Sequence, residues 1–379
     1  MISLRSLRHI SHAGMPSLRG LASRIGAAER IPPTLFYVPL AVNWLWLSLR
    51  HGGLSLPTLA NPLIEVGGLW GESKSACLDM VSGDERRWLA PYVTLSRGQG
   101  DGAEDARQAI ELVRASGLSF PLAAKPDIGW QGFGVRTVAS ESDLRAYVAN
   151  FPEGAALILQ AMVDWDGEAG VFYVRHPGDA RGKVISLTLR YYPYVVGDGS
   201  STVRELIQGD ERASWKAGLH LGCHKTHGGV PPETLDRIPG TGDVVRLSFI
   251  GSIRVGGLYR SADEHITPAL TERFDAIARA MPEFHYGRFD IRFASLERLR
   301  QGEHFRIIEI NGAGSEPISA WDPEMTLRQV YEKLLIQQRL LFEIGAQNRA
   351  RGWAPPSPLA MARAAWRQTR LIRRYPPSC

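Results

Sequence analysis

The chain has 379 residues, of which 44% are hydrophobic, so it is long enough to bury a core and to divide into two or three subdomains. Its formal net charge of +5 is too small to indicate nucleic-acid binding, and we expect no nucleic-acid partner. The three cysteines are far apart and lack CxxC spacing, so they indicate neither a disulfide framework nor a cysteine zinc site and fit a reducing cytoplasm.

Residues 1–61 make up a basic and apolar segment that we predict to be helical. It has no acidic residue before Glu29, and its most apolar stretch, residues 34–49, is shorter than the about 20 residues that cross a bilayer. Two interpretations stay open: a buried helix or pocket wall, and a monotopic element in the lipid interface anchored by Trp44 and Trp46. An organelle transit peptide or a bacterial N-terminal extension also fits the acid-free start.

Residues 346–379 repeat this bias at the other end of the chain. No acidic residue follows Glu343, and arginines alternate with apolar residues such as Trp353 and Trp366. We therefore predict a basic C-terminal tail that, like residues 1–61, suits an anionic surface. The expected location is the cytoplasm, with peripheral contact to the inner face of the membrane as the sharper interpretation.

Three blocks separated by proline and glycine lie between these segments. Residues 62–119 are predicted as mixed α/β, residues 120–190 as rich in antiparallel strands, and residues 191–345 as a mixture. The predicted strands are 121–125, 156–162, 170–175, 183–189, 244–250, 287–293 and 305–310. The predicted helices are 105–116, 267–280 and 326–344. The pattern predicts an α/β protein of the α+β kind.

A lysine followed by a glycine-rich loop is the first candidate site. Lys125 ends a predicted strand, and the loop after it contains Gly129, Gly132 and Gly134. Glycines let backbone amides approach phosphate oxygens closely, and the lysine supplies a compact cation for the same phosphates. The loop matches neither the dinucleotide-binding pattern nor the GxxxxGK[ST] phosphate loop, and by itself it could equally be an ordinary hairpin.

Acidic residues on two predicted strands form the second candidate site. Alternation places Arg288, Asp290 and Arg292 on one face of their strand, and Glu309 and Asn311 on one face of the next. If the strands pair as a hairpin, two carboxylates and a carboxamide come together as hard oxygen ligands that suit magnesium. Apolar neighbours argue against the alternative of a solvent-facing strand with ordinary ion pairs.

Together these sites resemble the ATP-grasp superfamily, and more closely its carboxylate-amine ligases, such as D-alanine:D-alanine ligase, glutathione-synthesising enzymes and cyanophycin synthetase. The resemblance runs from about residue 71 to residue 317, and residues 194–207 (YVVGDGSSTVRELI) look like the VxGDGxxTxxELI element of the last two groups. It implies an ATP-grasp fold, in which two α+β subdomains grip ATP. Here a short, non-standard helical segment precedes them.

The resemblance also implies roles for particular residues. Residues 62–119 carry the first phosphate-binding lysine, Lys74, residues 120–190 form the small nucleotide-binding subdomain, and residues 191–345 form the large subdomain with the metal site. The nucleotide ligands would be Lys74, Lys125, Gly129, Gly132, Gly134, Gln160, Met162 and Glu168. The Mg2+ ligands, with Mn2+ as an alternative ion, would be Asp290, Glu309 and Asn311. The charge of the reacting groups would be neutralised by Arg288, with Arg190 and Arg254 as weaker candidates.

The implied reaction joins a small-molecule carboxylate to an amine through an acyl phosphate, releasing ADP and phosphate. D-alanine:D-alanine ligases carry a full α/β domain ahead of this region, whereas fewer than eighty residues precede Lys74 here, so we expect a larger substrate that is hydrophobic or membrane-associated. Two alternatives remain: an ATP-grasp kinase, and a non-catalytic ATP-binding regulatory protein at the membrane. A homodimer is a further hypothesis.

The loop at residues 218–229 contains Cys223, His224 and His227. A zinc site would need further ligands at defined spacing, which the sequence does not provide. The loop either faces the substrate, where its histidines would select or deprotonate the amine, or is a plain surface loop.

Overall fold

A computed structural model describes residues 14–18, 24–99, 102–222 and 226–378. The strands are β1 (Tyr92–Ser96), β2 (Leu122–Pro126), β3 (Arg136–Val138), β4 (Ala156–Ala161), β5 (Gly167–Val174), β6 (Lys183–Tyr191), β7 (Tyr194–Val196), β8 (Val244–Arg246), β9 (Leu258–Ser261), β10 (Tyr286–Phe293) and β11 (Phe305–Asn311). The helices are α1 (Pro33–Phe36), α2 (Val38–His51), α3 (Lys74–Asp79), α4 (Ala103–Ala115), α5 (Glu141–Ala149), α6 (Val203–Gly209), α7 (Glu211–Trp215), α8 (Ala217–His220), α9 (Pro232–Leu235), α10 (Pro268–Arg279), α11 (Leu296–Arg300), α12 (Leu327–Ala350) and α13 (Pro358–Ile372). The predicted α/β class is confirmed.

The smaller lobe is an antiparallel sheet in the order β1-β4-β2-β3, covered by α4 and α5. Helix α4 buries Ala106, Ala109, Ile110 and Val113, the i, i+3, i+4, i+7 spacing of one helical face. Its partners in the core include Leu157 of β4. Because this core is separate from that of the other sheet, the small lobe is a unit with its own apolar centre.

The larger lobe is an antiparallel sheet in the order β11-β10-β5-β6-β9, packed against α10. Phe274 of α10 contacts Phe289 of β10 and stacks on Phe305 of β11 with ring centroids 5.0 Å apart. Residues 194–207 form β7, a turn and the start of α6. Thr202 and Glu205 cap α6 reciprocally, so this part of the motif has a structural role in the described protein.

The boundaries of the blocks differ from those predicted. Strands β5 and β6, predicted within the small subdomain of residues 120–190, pair with β10 and β9 of the large sheet. Strand β1, predicted in the preceding block, pairs with β4 of the small sheet. The predicted strand at 244–250 covers only Val244–Arg246, after which the chain turns towards the other lobe. Strand pairing depends on distant partners, which local patterns do not specify.

The apolar stretch at residues 34–49 forms α1 and most of α2, as predicted. The inner face of α2 packs on α12, where Leu40 and Leu47 are buried and the Asn43 amide donates to Gln338 at 2.7 Å. The opposite face is apolar and open to solvent, with Val42 61% and Leu49 85% exposed. No helix among the described residues is both long enough and apolar enough to cross a membrane.

Residues 346–379 do not form the predicted tail. Helix α12 continues to Ala350, and α13 packs on the segment before α3: Gln368 accepts a hydrogen bond from the Gly71 amide, and Arg367 pairs with Glu65. Arg363, Arg367 and Arg370 lie on the polar face of α13, an amphipathic helix whose Met361 and Ala364 are buried. Among the N-terminal arginines, Arg5, Arg8 and Arg19 lie outside the described residues, as does Cys379.

Candidate active site

The predicted hairpin of acidic residues is present in the large lobe. Strands β10 and β11 pair with Asp290 opposite Glu309 and Arg288 opposite Asn311. A bulge follows, because Ile291 pairs with Ile307 and leaves Ile308 as an extra residue on β11. Asp290 is 2% exposed, while Glu309 and Asn311 are partly exposed. The two carboxylates and the carboxamide therefore share one face of the sheet.

Arginines surround the buried Asp290 carboxylate. Arg288 Nε lies 2.6 Å from one carboxylate oxygen and Arg190 Nη1 lies 3.0 Å from the other. Burial alone would raise the pKa of Asp290, but the two guanidinium groups outweigh it and lower the pKa below its usual value. Arg190 and Arg292 also pair with Glu168 at 3.2 and 3.3 Å. Asp290 is thus held as an anion inside a network of fixed cations.

The two lysines of the site approach the same hairpin from other elements. Lys125, at the end of β2, donates to Gln160 at 2.9 Å and to the carbonyl of the bulged Ile308 at 2.6 Å. Burial lowers the pKa of Lys125 to about 8. Lys74 lies 3.3 Å from Glu309 and donates to the Gly129 carbonyl. Burial opposes its charge, but Glu309 and Glu72 raise the net pKa of Lys74.

The glycine-rich loop follows β2 and needs glycine at specific positions. Gly132 and Gly134 have φ of +74° and +73°, and a Cβ on Gly134 would lie 2.7 Å from the Pro126 ring. The loop is held from outside the cleft, because Tyr375 donates to the Ile128 carbonyl at 2.7 Å and stacks on Phe151. The loop is therefore braced by the C-terminal segment.

Arg254 has a different place from the one predicted. Its guanidinium donates to the carbonyls of Gln131 and Gly132 at 2.9 and 3.2 Å and to the Ser378 hydroxyl at 2.9 Å. Its described partners are thus the glycine-rich loop and the C-terminal segment rather than the acidic hairpin. These bonds use Nε and Nη2 of Arg254 to position the loop, while its buried Nη1 has no hydrogen-bond partner among the described residues.

A pocket lies between the two lobes. Its walls include Lys125, Gln160, Met162, Glu168, Arg190, Phe249, Arg292 and Glu309. Among the predicted nucleotide ligands, Lys125, Gly132, Gln160, Met162 and Glu168 are in these walls, whereas Lys74, Gly129 and Gly134 are not. Phe249 was not predicted as a site residue; the only sequence signal for it was an apolar run, which also fits a core strand.

Three further groups near Arg288 were missed by the sequence argument. Glu72 lies before Lys74, Glu316 follows the turn after β11, and Tyr37 comes from the junction of α1 and α2. Burial raises the pKa values of both carboxylates, and the charge of the nearby Arg288 opposes that rise. The only local signal for Glu316 was its position shortly after Glu309 and Asn311.

The histidine loop does not form a metal site in the described part. Residues 223–225, including His224, lie outside the described residues, while His227 is buried and its Nδ1 lies 3.2 Å from the Ser378 hydroxyl. His227 thus contacts the C-terminal segment. No group of three His, Cys, Asp or Glu in residues 14–18, 24–99, 102–222 and 226–378 is arranged to hold a metal ion. The donor set of Asp290, Glu309 and Asn311 includes an amide, and its hard oxygens fit Mg2+.

No family model matches this chain, and no curated protein matches its sequence. Among solved structures, a bifunctional glutathione synthetase from Pasteurella multocida is similar at 15% identity and a TM-score of 0.34, over 70% of this chain and 36% of that one. The VanG D-Ala:D-Ser ligase from Enterococcus faecalis is 13% identical with a TM-score of 0.39, over 73% and 63% of the chains. D-cycloserine synthetase DcsG is 13% identical with a TM-score of 0.37, over 72% and 71%.

These similar structures are those of ligases and synthetases. This chain spans less than two thirds of the first two proteins. With TM-scores of 0.34 to 0.39, the likenesses carry no argument about activity, which rests on the residues of the cleft.

Proposed function

We propose that the protein is an ATP- and magnesium-dependent ligase that joins a carboxylate to an amine and releases ADP and phosphate. One observation carries this proposal: two lysines, from different elements, converge on a buried hairpin in which Asp290 faces Glu309. Cations and hard oxygen ligands in one cleft suit a nucleoside triphosphate with its metal ion. We place the reaction in the cytoplasm, because the widely spaced cysteines fit a reducing compartment.

The pocket supports a defined orientation of the nucleotide. Gln160 and Met162, at the end of β4, would contact the base, and Glu168 would accept hydrogen bonds from the ribose hydroxyls. Lys125 and Lys74, with the backbone of the glycine-rich loop, would contact the phosphates. Asp290, Glu309 and Asn311 would hold Mg2+, which supplies charge neutralisation and Lewis acidity at the phosphates.

The proposed chemistry has two steps. A carboxylate oxygen of the first substrate attacks the γ-phosphorus, the bond from that phosphorus to the bridging oxygen breaks, and ADP leaves. The amine nitrogen then attacks the acyl carbon, the carbon–oxygen bond to phosphate breaks, and the departing phosphate takes the proton of the neutral amine. In this proposal Lys74, Lys125 and Arg288 would stabilise negative charge during both steps, so the protein would act mainly through electrostatics.

The test is ADP release from the purified protein with MgATP, with the twenty amino acids as carboxylates and hydroxylamine as a trapping nucleophile. Trapping of an acyl phosphate gives a hydroxamate, which we expect with the native protein. In the Asp290→Asn, Glu309→Gln double variant we expect the rate of hydroxamate formation to fall by at least about a hundredfold, since charge stabilisation of this kind contributes a factor of about 10²–10³ to kcat.

The matched control is Asp236→Asn, a change at an exposed carboxylate that pairs with Arg204. It should leave hydroxamate formation as it is in the native protein. A phosphorylated product that hydroxylamine does not trap would instead assign the cleft to a kinase. ATP binding without any ADP release would assign it to a regulatory protein.

A further inference from the structure

The cleft has a direction, which strand β10 defines. Arg292, Asp290 and Arg288 point to the same face at alternate positions, so successive side chains are about 7 Å apart. Arg292 pairs with Glu168 in the nucleotide pocket, and Asp290 lies at the proposed metal site. The Arg288 end is therefore the end farthest from the base, where the second substrate must meet the reacting carbonyl.

Glu316 lies at this far end. Arg288 Nη1 donates to the backbone carbonyl of Glu316 at 3.1 Å, and the Glu316 carboxylate accepts a hydrogen bond from the Tyr37 hydroxyl at 3.3 Å. In the part of the chain that the structure describes, no lysine, arginine or histidine forms a salt bridge with Glu316. Arg288 directs its Nε and Nη2 to Asp290 instead.

The Glu316 carboxylate has neutral hydrogen-bond donors but no direct salt bridge among the described residues. It is partly exposed, and the side chains of Tyr37 and Trp321 donate to it. Burial raises the pKa of Glu316, and these hydrogen bonds together with the charge of Arg288 offset the rise only in part. Tyr286 is close to Glu316, because the charge of Glu316 adds to the burial that raises the pKa of Tyr286.

A carboxylate in such a place is stabilised by an incoming cation. Partial burial of a carboxylate that has no direct salt bridge is unfavourable, and a bound ammonium group would supply that salt bridge. We propose that Glu316, oriented by Tyr37, binds the ammonium group of the amine substrate at the Arg288 end of the cleft. This inference rests on the proposed ligase function and names the charge of its second substrate.

The surroundings of Tyr37 also indicate the body of that substrate. Leu35 and Val38, within two residues of Tyr37 in the chain, are 64% and 52% exposed. Because these apolar residues lie close in the chain to the tyrosine that bonds to Glu316, we extend the proposal to an amine on an aliphatic group rather than a small polar amine. On attack, the ammonium nitrogen must lose two protons; Glu316 is placed to take the first and the departing phosphate takes the second.

The experiment measures amine binding separately from turnover. Ligand-observed NMR would follow hexylamine and ethanolamine with the full-length protein loaded with MgADP, for the native chain, Glu316→Gln, Tyr37→Phe and Glu324→Gln. Glu324 is the matched control, because it is a partly exposed glutamate in the same region that pairs with Arg260. The thermal midpoint of each variant reports whether it folds.

We expect the native protein to bind hexylamine more tightly than ethanolamine. Glu316→Gln should weaken hexylamine binding by at least about tenfold, Tyr37→Phe by a few-fold, and Glu324→Gln not at all. If Glu316→Gln does not fold, the Tyr37→Phe result decides. Equal binding by the native protein and these two variants, or no binding of either amine, would overturn the inference.

The same variants separate this inference from the ligase proposal. Hydroxylamine is neutral near pH 7.5, so it needs no ammonium site. If the native protein forms no hydroxamate, the ligase proposal fails, whatever the NMR shows. The second outcome is that the native protein forms hydroxamate. In that case we compare the ratio of kcat/KM for hexylamine to kcat/KM for hydroxylamine in the native protein and in Glu316→Gln. An equal ratio in the two proteins refutes the ammonium site and leaves the ligase proposal intact.

Discussion

At the scale of single residues, the chemistry of the cleft depends on charges that are buried but paired. Asp290 is nearly inaccessible and would favour its neutral form without Arg190 and Arg288. Lys125, by contrast, has no hydrogen bond to a charged group, because its bonds are to neutral oxygens of Gln160 and Ile308. Burial therefore has the largest effect on its pKa and lowers it. One group is thus a fixed anion, while the other titrates near neutral pH.

The pKa of Lys125 predicts a pH dependence for nucleotide binding. Because the amine is cationic below about pH 8 and neutral above it, phosphate binding should weaken as pH rises. From pH 7 to pH 9, the fraction of cationic Lys125 falls about tenfold, so we expect the Kd of MgADP to rise by about that factor. Isothermal titration calorimetry at pH 7, 8 and 9 measures it.

The control is Lys125→Arg, in which the guanidinium stays charged across this range. Its affinity should change little between pH 7 and pH 9. The same pH slope in the variant and the native protein would show that another group is responsible.

At the scale of elements, the C-terminal segment braces the glycine-rich loop. Residues 373–378 reach from α13 to the loop, where Tyr375 bonds to Ile128, and then to the large lobe, where Ser378 bonds to Thr226. Arg254 joins Gly132 to the same Ser378. A segment predicted as a surface tail thus connects both sides of the nucleotide pocket.

Tyr375→Phe tests this brace by removing one hydrogen bond while keeping the ring that stacks on Phe151. The loop should lose part of its preorganisation, and KM for ATP should rise about two- to tenfold, the effect of about 0.5–1.5 kcal/mol. Steady-state kinetics of ADP release measures it. Tyr92→Phe, which removes a hydroxyl bonded to the exposed Asp79, is the control. An equal KM in all three proteins would contradict the brace.

Helix α2 presents an apolar row to solvent that includes Val42, Leu45 and Leu49. We propose that this row contacts lipid at a membrane surface, which is one of the two interpretations that the sequence left open. The native protein should float with vesicles of 30% phosphatidylserine, and Val42→Glu with Leu49→Glu should abolish flotation, because charges oppose entry into the lipid interface.

The control for this pair is Ile238→Glu, which adds one charge at an exposed apolar residue of the large lobe. It should not change flotation. Flotation that survives both charges on α2 would refute lipid contact through this helix, and a concentration-dependent dimer lost in the double variant would assign the row to a second copy.

At the scale of the whole molecule, the two lobes meet at the site. Lys125 of the small lobe bonds to Ile308 of the large lobe, and the pocket has walls from both. A nucleotide bound there would contact both lobes at once, and each lobe has its own hydrophobic core. The stability of the folded protein should therefore depend on nucleotide and magnesium together.

We expect MgADP to raise the thermal unfolding midpoint, since a ligand at a hundred times its Kd stabilises the folded state by about 2.7 kcal/mol. Scanning fluorimetry with ADP, Mg2+, both or neither measures this. The part of the rise in midpoint that requires magnesium should vanish in the Asp290→Asn, Glu309→Gln double variant and persist in Asp236→Asn. An undiminished increment in the double variant would place the ion elsewhere.

Much of the site was predictable because it depends on local alternation. The period-2 pattern around Asp290 and Glu309 predicts a common face if their strands pair, and these strands are consecutive in the chain, joined by residues 294–304, which include α11. The strand before Lys125 and the glycine positions after it are equally local features. The amphipathic spacing of α4 needs only neighbouring residues, and the structure confirms it.

What the sequence by itself determined is therefore the class of fold, the acidic hairpin and the lysine with its glycine-rich loop, because short-range periodicity and backbone preference specify them. The tertiary structure alone decided that β5 and β6 join the large sheet, that Arg254 and Tyr375 hold the loop, and that Tyr37 reaches Glu316. Tyr37 and Glu316 are 279 residues apart. Contacts at such separations depend on how complete elements pack, and no local pattern records that arrangement.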